Sequence, residues 1–95
     1  MSLTADGVLV SRKRGECTIA FYDETDTYPL TLAEQAYGIS ILNRSSASAA
    51  SFTVTIGGST LSSVVPANSE FTGSFYNNIT ALDVSGSSFL IEVRV

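Results

Sequence analysis

Residues 52–65 read FTVTIGGSTLSSVV, and no other stretch limits the fold of this chain so tightly. Phe52, Val54 and Ile56 alternate with Thr53 and Thr55, so an extended strand here carries its apolar groups on one side. Gly57-Gly58 follow. Two adjacent glycines accept positive φ, which a two-residue hairpin turn requires. Folding about them sets Val54 opposite Leu61 and Ile56 opposite Ser59. The apolar face continues through Leu61 and Val65, while Ser62 and Ser63 leave the returning strand half filled, as at a sheet edge or an interface. Such a hairpin cannot bury its one apolar face alone, so a second layer is needed.

The rest of the chain repeats the pattern. ITALDV, Ser85-Gly86 and SSFLIEVRV predict a second hairpin, with Val84 opposite Ser87 and Leu82 opposite Phe89. Phe89, Ile91, Val93 and Val95 share one face of its last strand; Leu90, Glu92 and Arg94 share the other. Pro66-Ala67-Asn68-Ser69 makes a turn, Phe71, Gly73 and Phe75 line a strand, and Asn77-Asn78 turn again. GVLV, CTIAFYD and GISILN each read as a strand. In CTIAFYD the alternating Cys17, Ile19 and Phe21 are expected to face inward, and all five phenylalanines are assigned to the core. In TYPLTLAEQAYG, Tyr28, Leu30 and Leu32 alternate as a strand before a turn at Glu34-Gln35. The alternative is one helical turn, opened by Thr31 with Glu34 and stopped at Gly38. Seven or eight short strands at roughly 8–12-residue spacing predict an all-β protein. The expected form is a single domain over residues 1–95: a small antiparallel β-sandwich of jelly-roll or immunoglobulin-like type, or a barrel.

Composition narrows the chemistry. Only 15% of the 95 residues are charged and the net charge is −4. An acidic chain repels phosphate backbones, so no nucleic-acid partner is expected. Arg12-Lys13-Arg14, before Gly15, reads as a solvated turn, with a local anion contact as the sharper alternative. No run approaches the ~20 apolar residues of a spanning helix, so no membrane partner is expected. MSLTADGVLV lacks the positive start and apolar core of a secretory signal, which leaves an extracellular location only if a leader has been removed.

There is no histidine, and Cys17 is the lone cysteine, so neither an internal disulfide nor an imidazole-activated nucleophile can form. GGST lacks the lysine and helix of a phosphate loop. A carboxylate pair at Asp23 and Asp26 is the one acid–base arrangement left, in a chain without tryptophan and short for an enclosed sugar cleft; no enzyme activity is expected. Asp23, Glu24 and Asp26 are also the candidate ligands for a calcium ion, since hard cations take several carboxylate oxygens. The spacing of an EF-hand loop is absent, and the plainer reading is a solvated connection; no resident cofactor is expected. Asn43-Arg44-Ser45 and Asn78-Ile79-Thr80 match the N-glycosylation triplet. Tyr22, Tyr28, Tyr37 and Tyr76 fall near strand ends, where tyrosine stacks on sugars, anchors interfaces or packs at a rim.

Residues 38–95 resemble small β-sandwich proteins of bacteriophage and prophage particles. The resemblance lies in a strand ending at Ile41-Leu42-Asn43, a serine-rich loop, the strand from Phe52 to Ile56, the Gly57-Gly58 turn and then Val65-Pro66-Ala67-Asn68. It implies a non-enzymatic virion accessory role, in head decoration or tail assembly. It also implies a symmetric homo-oligomer whose partners are itself and other virion proteins, located in the virion or in the bacterial cytoplasm during assembly. Antiparallel sheets leave edges that a ring of subunits can cover. The strand at 59–65, with Ser62 and Ser63, and the C-terminal strand at 87–95 are the expected edges. Leu90, on the outer face of the last strand, and Tyr76 complete the expected interface. The rival expectation is an adhesin-like or carbohydrate-binding sandwich, with a glycan ligand and calcium at the acidic loop.

Overall fold

The structure, a computed structural model, describes residues 2–3, 9–10, 17–32 and 35–95. Among them every regular element is a β-strand. β1 (Ser2–Leu3) and β2 (Leu9–Val10) pair as a short antiparallel ribbon. Eight more strands follow: β3 (Thr18–Asp23), β4 (Leu30–Thr31), β5 (Gly38–Asn43), β6 (Ala50–Ile56), β7 (Ser59–Val65), β8 (Glu70–Ser74), β9 (Ile79–Ser85) and β10 (Phe89–Arg94). They form two four-stranded antiparallel sheets in the orders β3-β10-β5-β8 and β4-β9-β6-β7.

This order follows from one operation on the chain. β6 pairs with β7 across Gly57-Gly58, then β5 with β8, β4 with β9 and β3 with β10. The chain is a long hairpin of nested strand pairs. It is rolled up so that β10 also meets β5 and β9 also meets β6. A ribbon rolled in this way is the double Greek key of a jelly roll, so the fold is a β-sandwich. The hairpin at its centre has the register read from the sequence, Val54 to Leu61 and Ile56 to Ser59. Gly57 (φ 55°) and Gly58 (φ 89°) both sit in the left-handed region, as a type I′ turn demands.

Apolar side chains from the two inner faces fill the space between the sheets. Ile39, Ile41, Phe89, Ile91 and Val93 come from one; Phe52, Val54, Val65, Leu82 and Val84 come from the other. Phe52 meets Phe71 across the layers with ring centroids 4.6 Å apart, and Tyr28 packs edge-on against Phe89 at 5.6 Å.

Four expectations are corrected. The second hairpin does not form: β9 and β10 lie in different sheets, and 86–88 crosses between them. A Cβ on Gly86 would come within 2.9 Å of the Ala50 Cβ, so the glycine marks a close crossing, not a tight turn. The C-terminal strand is no edge, because β10 is flanked by β3 and β5. Phe21 does not face inward; it is 61% exposed. The strand expected from Tyr28 to Leu32 shortens to Leu30–Thr31, although Tyr28 and Leu32 still pack on the core. Arg12-Lys13-Arg14 and Glu34, and with it the helical-turn alternative, lie outside the described residues.

Candidate interface surfaces

The outer face of the β3-β10-β5-β8 sheet is built in rows across the strands. Opposite residues share a face, so Asp23, Leu90, Leu42 and Glu70 form one row, and Phe21, Glu92, Ser40 and Thr72 form the next. Phe21 lies diagonal to Leu90, and Ile19 follows it at the bulge opposite Val93 and Arg94. Ile19, Phe21, Leu90 and Leu42 therefore make an apolar band, running inward from the sheet edge at β3. Of the charges on this face, Glu92 and Arg94 neutralise one another, while Asp23 and Glu70 stand at the two edges of the row. Arg94 donates to Glu92 at 3.2 Å and to the Ile39 carbonyl at 3.1 Å, and the Thr18 hydroxyl donates to Glu92. Ser40 and Thr72 are within 3.2 Å of each other.

The exposure of Phe21 has a cause in the register. Ala20 sits opposite Val93 and Tyr22 opposite Ile91, both of which point into the core. A slip of one residue would turn Ile19 and Phe21 inward instead. Burying a phenylalanine stabilises by about 1.5–3 kcal/mol. The chain forgoes that burial here and places Ala20 and part of Tyr22 against the core. One signal of this was present in the sequence: Asp23 shares parity with Ile19 and Phe21, so an inward Phe21 would also bring a carboxylate inward.

The second surface is β7. It is exposed from Ser59 through Val64 on both faces, with Leu61 at 40% and Val64 at 59%. Ser62 and Ser63 point to opposite sides of it. Ser62 lies on the outer face, 2.8 Å from the Thr53 hydroxyl of β6, and Ser63 lies opposite Phe52. Tyr76, 92% exposed, stands in the 75–78 connection, beyond the β6–β7 turn. The expected interface residues thus fall on three separate surfaces: Leu90 on one sheet face, Ser62 and Ser63 on an edge of the other sheet, and Tyr76 at one end. Of the remaining tyrosines, Tyr22, Tyr28 and Tyr37 are half-buried.

The acidic run lies at the opposite end, in the β3–β4 connection, and its carboxylates hold the loop itself. Asp23 accepts from the Thr25 amide at 2.9 Å, and Asp26 accepts from the Asp23 amide at 2.9 Å. Glu24 accepts from Arg44 at 2.8 Å and from the Phe89 amide at 3.0 Å. No group of three or more metal-ligating side chains converges among the described residues. Hydrogen bonds from Thr25 hold the Asp23 carboxyl below its usual range, and the Phe89 amide does most to lower Glu24.

Tyr28 moves the other way. Burial, with the Asp26, Asp23 and Glu24 carboxylates beside it, pushes its phenol up from 10.0 to about 12. Its hydroxyl donates to the Asp23 carbonyl at 2.7 Å. A raised folded pKa favours the neutral phenol, so this contribution to stability is complete below pH 10 and is lost as pH rises toward 12. A spectrophotometric titration should show one phenol ionising near pH 12, and Tyr28→Phe should remove that step. If no late step is seen, Tyr28 is not held as described.

Asn43 is the residue that the sequence hides best. It is buried at the end of β5, and its side-chain amide donates to the carbonyls of Ser48 at 2.8 Å, Val65 at 3.0 Å and Pro66 at 3.3 Å. Its side-chain oxygen accepts from the Ser45 amide, and its own amide donates to the Ser69 carbonyl. It ties the serine-rich loop to the Val65-Pro66-Ala67-Asn68 turn, so its glycosylation triplet is structural. Arg44 extends the clamp, reaching both Glu24 and the Phe89 carbonyl. Comparison with known family models, curated proteins and solved structures finds no match to the chain.

Proposed function

We propose that this chain is a non-enzymatic structural protein that associates with copies of itself as an accessory component of a bacteriophage or prophage particle. The observation that carries the reading is Phe21, turned outward beside Leu90 and Leu42 on a sheet face where the neighbouring Glu92 and Arg94 are paired with each other. An apolar band of this kind, rimmed by polar groups, suits a protein–protein contact. The particle assignment rests on the resemblance of residues 38–95 and on the jelly roll, an architecture of viral capsid domains as well as of lectins and cupins. The chain would then act in the virion, or in the bacterial cytoplasm during assembly, with other virion proteins as its further partners.

The variant Phe21→Glu tests this contact. It should at least halve the mass of the particle measured by light scattering while leaving the melting temperature of the fold within a few degrees, since the side chain is exposed. An unchanged mass would remove the band from the interface.

A shallow depression of about 170 Å³ on the outer face of the other sheet favours a second reading, a glycan-binding module. Ser51, Thr53, Ser62, Asp83 and Ser85 line it with hydroxyls and one carboxylate. A glycan, or calcium for the acidic loop, that raised the melting temperature in proportion to its concentration would shift the assignment to that class.

A further inference from the structure

A jelly roll has four sheet edges, and here they differ. β4 is two residues long and follows Pro29. β3 ends in Asp23 and is paired through a bulge at Val93 and Arg94. β8 begins with Glu70 and has Gly73 within it. Shortness, proline, charge and bulges are the devices that keep an edge from pairing with another chain. β7 has none of them along its length, Pro66 coming only after its last residue. It runs seven residues, STLSSVV, without a charge, and its register with β6 is unbroken.

The turn also decides which groups the β7 edge offers. A two-residue turn makes Ile56 and Ser59 a hydrogen-bonded pair, and such pairs alternate along an antiparallel ladder. Ser59, Leu61, Ser63 and Val65 therefore direct their backbone groups to β6. Thr60, Ser62 and Val64 direct theirs outward, in a row centred on Ser62.

We propose that β7 is the seam between two copies of this chain, joined antiparallel about a two-fold axis at Ser62 so that the β4-β9-β6-β7 sheets run on as one. In this register Ser62 meets the partner's Ser62, and Thr60 meets the partner's Val64. All the outward backbone groups then find partners. On the inner face Leu61 meets the partner's Ser63, with the partner's Leu61 on the diagonal, so the half-filled face is completed.

The two-fold register points to a second copy as the occupant, and charge at the seam does not oppose it. Two chains of net charge −4 repel, yet β7 brings only hydroxyl and apolar groups to the seam. The carboxylate of Asp83 stands on β9, two strands back, or roughly 10 Å away at the usual strand spacing. That is about one Debye length at physiological salt. The inference rests on the reading of the chain as self-associating and assigns one of its contacts.

Two variants test the seam. Ser62→Lys places two ammonium groups face to face and should halve the particle mass in light scattering. Ser62→Cys, in a chain carrying Cys17→Ser, should yield a disulfide-linked dimer on mild oxidation. Directly opposed Cα atoms lie about 5.5 Å apart in such a pair, inside the disulfide range. Thr53→Cys, one strand inward, should stay unlinked. An oligomer whose mass survives Ser62→Lys, with Ser62→Cys unlinked, would overturn the seam and leave the self-association reading standing. A wild-type chain that is monomeric throughout would overturn both.

Discussion

Asn43→Leu should destabilise the fold by about 3–5 kcal/mol, the sum of several buried groups left unpaired at roughly 1–3 kcal/mol each. Leucine has the same number and branching of side-chain heavy atoms, and it cannot donate. The carbonyls of Ser48 and Val65 would lose short hydrogen bonds, Pro66 would lose its longer one, and the Ser45 amide would lose its acceptor. An amide NH₂ has two hydrogens, so the 3.3 Å contact to Pro66 is the weakest of the set. For a domain of this size each kcal/mol shifts the melting temperature by roughly 4–8 °C. A fall of about 12–40 °C is therefore expected. Asn43→Asp keeps the acceptor for Ser45 but loses both donors, and it should fall nearly as far. A loss under about 1 kcal/mol, the net worth of one ordinary hydrogen bond, would mean that Asn43 does not hold the two loops together.

Phe89→Ala is the second large effect. The ring is almost completely buried and lies between the sheets. Truncating a buried phenylalanine costs about 3–5 kcal/mol, because the lost transfer energy is joined by the cavity left behind. The edge-to-face contact with Tyr28 is lost as well, worth a further ~0.5–1.5 kcal/mol. The backbone amide and carbonyl of residue 89 remain to hold Glu24 and Arg44, so the loss is one of packing alone. A domain of this length has on the order of 5–14 kcal/mol of stability in total. The variant should unfold at much lower urea with an unchanged denaturant slope. A shift of under about 1 kcal/mol would place Phe89 outside the core, since even one buried methylene is worth ~0.8 kcal/mol.

How far the fold could be read from the residues depended on whether a signal was local. The β6–β7 hairpin was legible to the register because Gly57-Gly58 forces one turn and alternation fixes both strands. Ser85-Gly86 looked the same and meant something else. β9 and β10 each carry one apolar face, and a chain passing between sheets presents the same alternation as one turning within a sheet. Only the nested pairing of β3 with β10 and β4 with β9 separates the two cases. Phe21 was misread because hydrophobicity favours the Ile19–Phe21 face, whereas the register with β10 places Ala20 and Tyr22 inward. Of the surface residues, Leu90 could be placed on the outer face from parity alone, and Ser62 and Ser63 on an edge from their pairing. That Asn43 bridges two loops could not be read, because its acceptors, Val65 and Pro66, are brought to it only by the rolled topology.

The particle mass of the wild-type chain, followed by light scattering on a sizing column over a wide range of concentration, bears most directly on self-association. The expected result is a constant integer multiple of 10.0 kDa that persists on dilution into the low micromolar range. A mass of 10.0 kDa at every concentration would contradict the assembly reading and transfer its weight to the hydroxyl-lined depression and a glycan ligand.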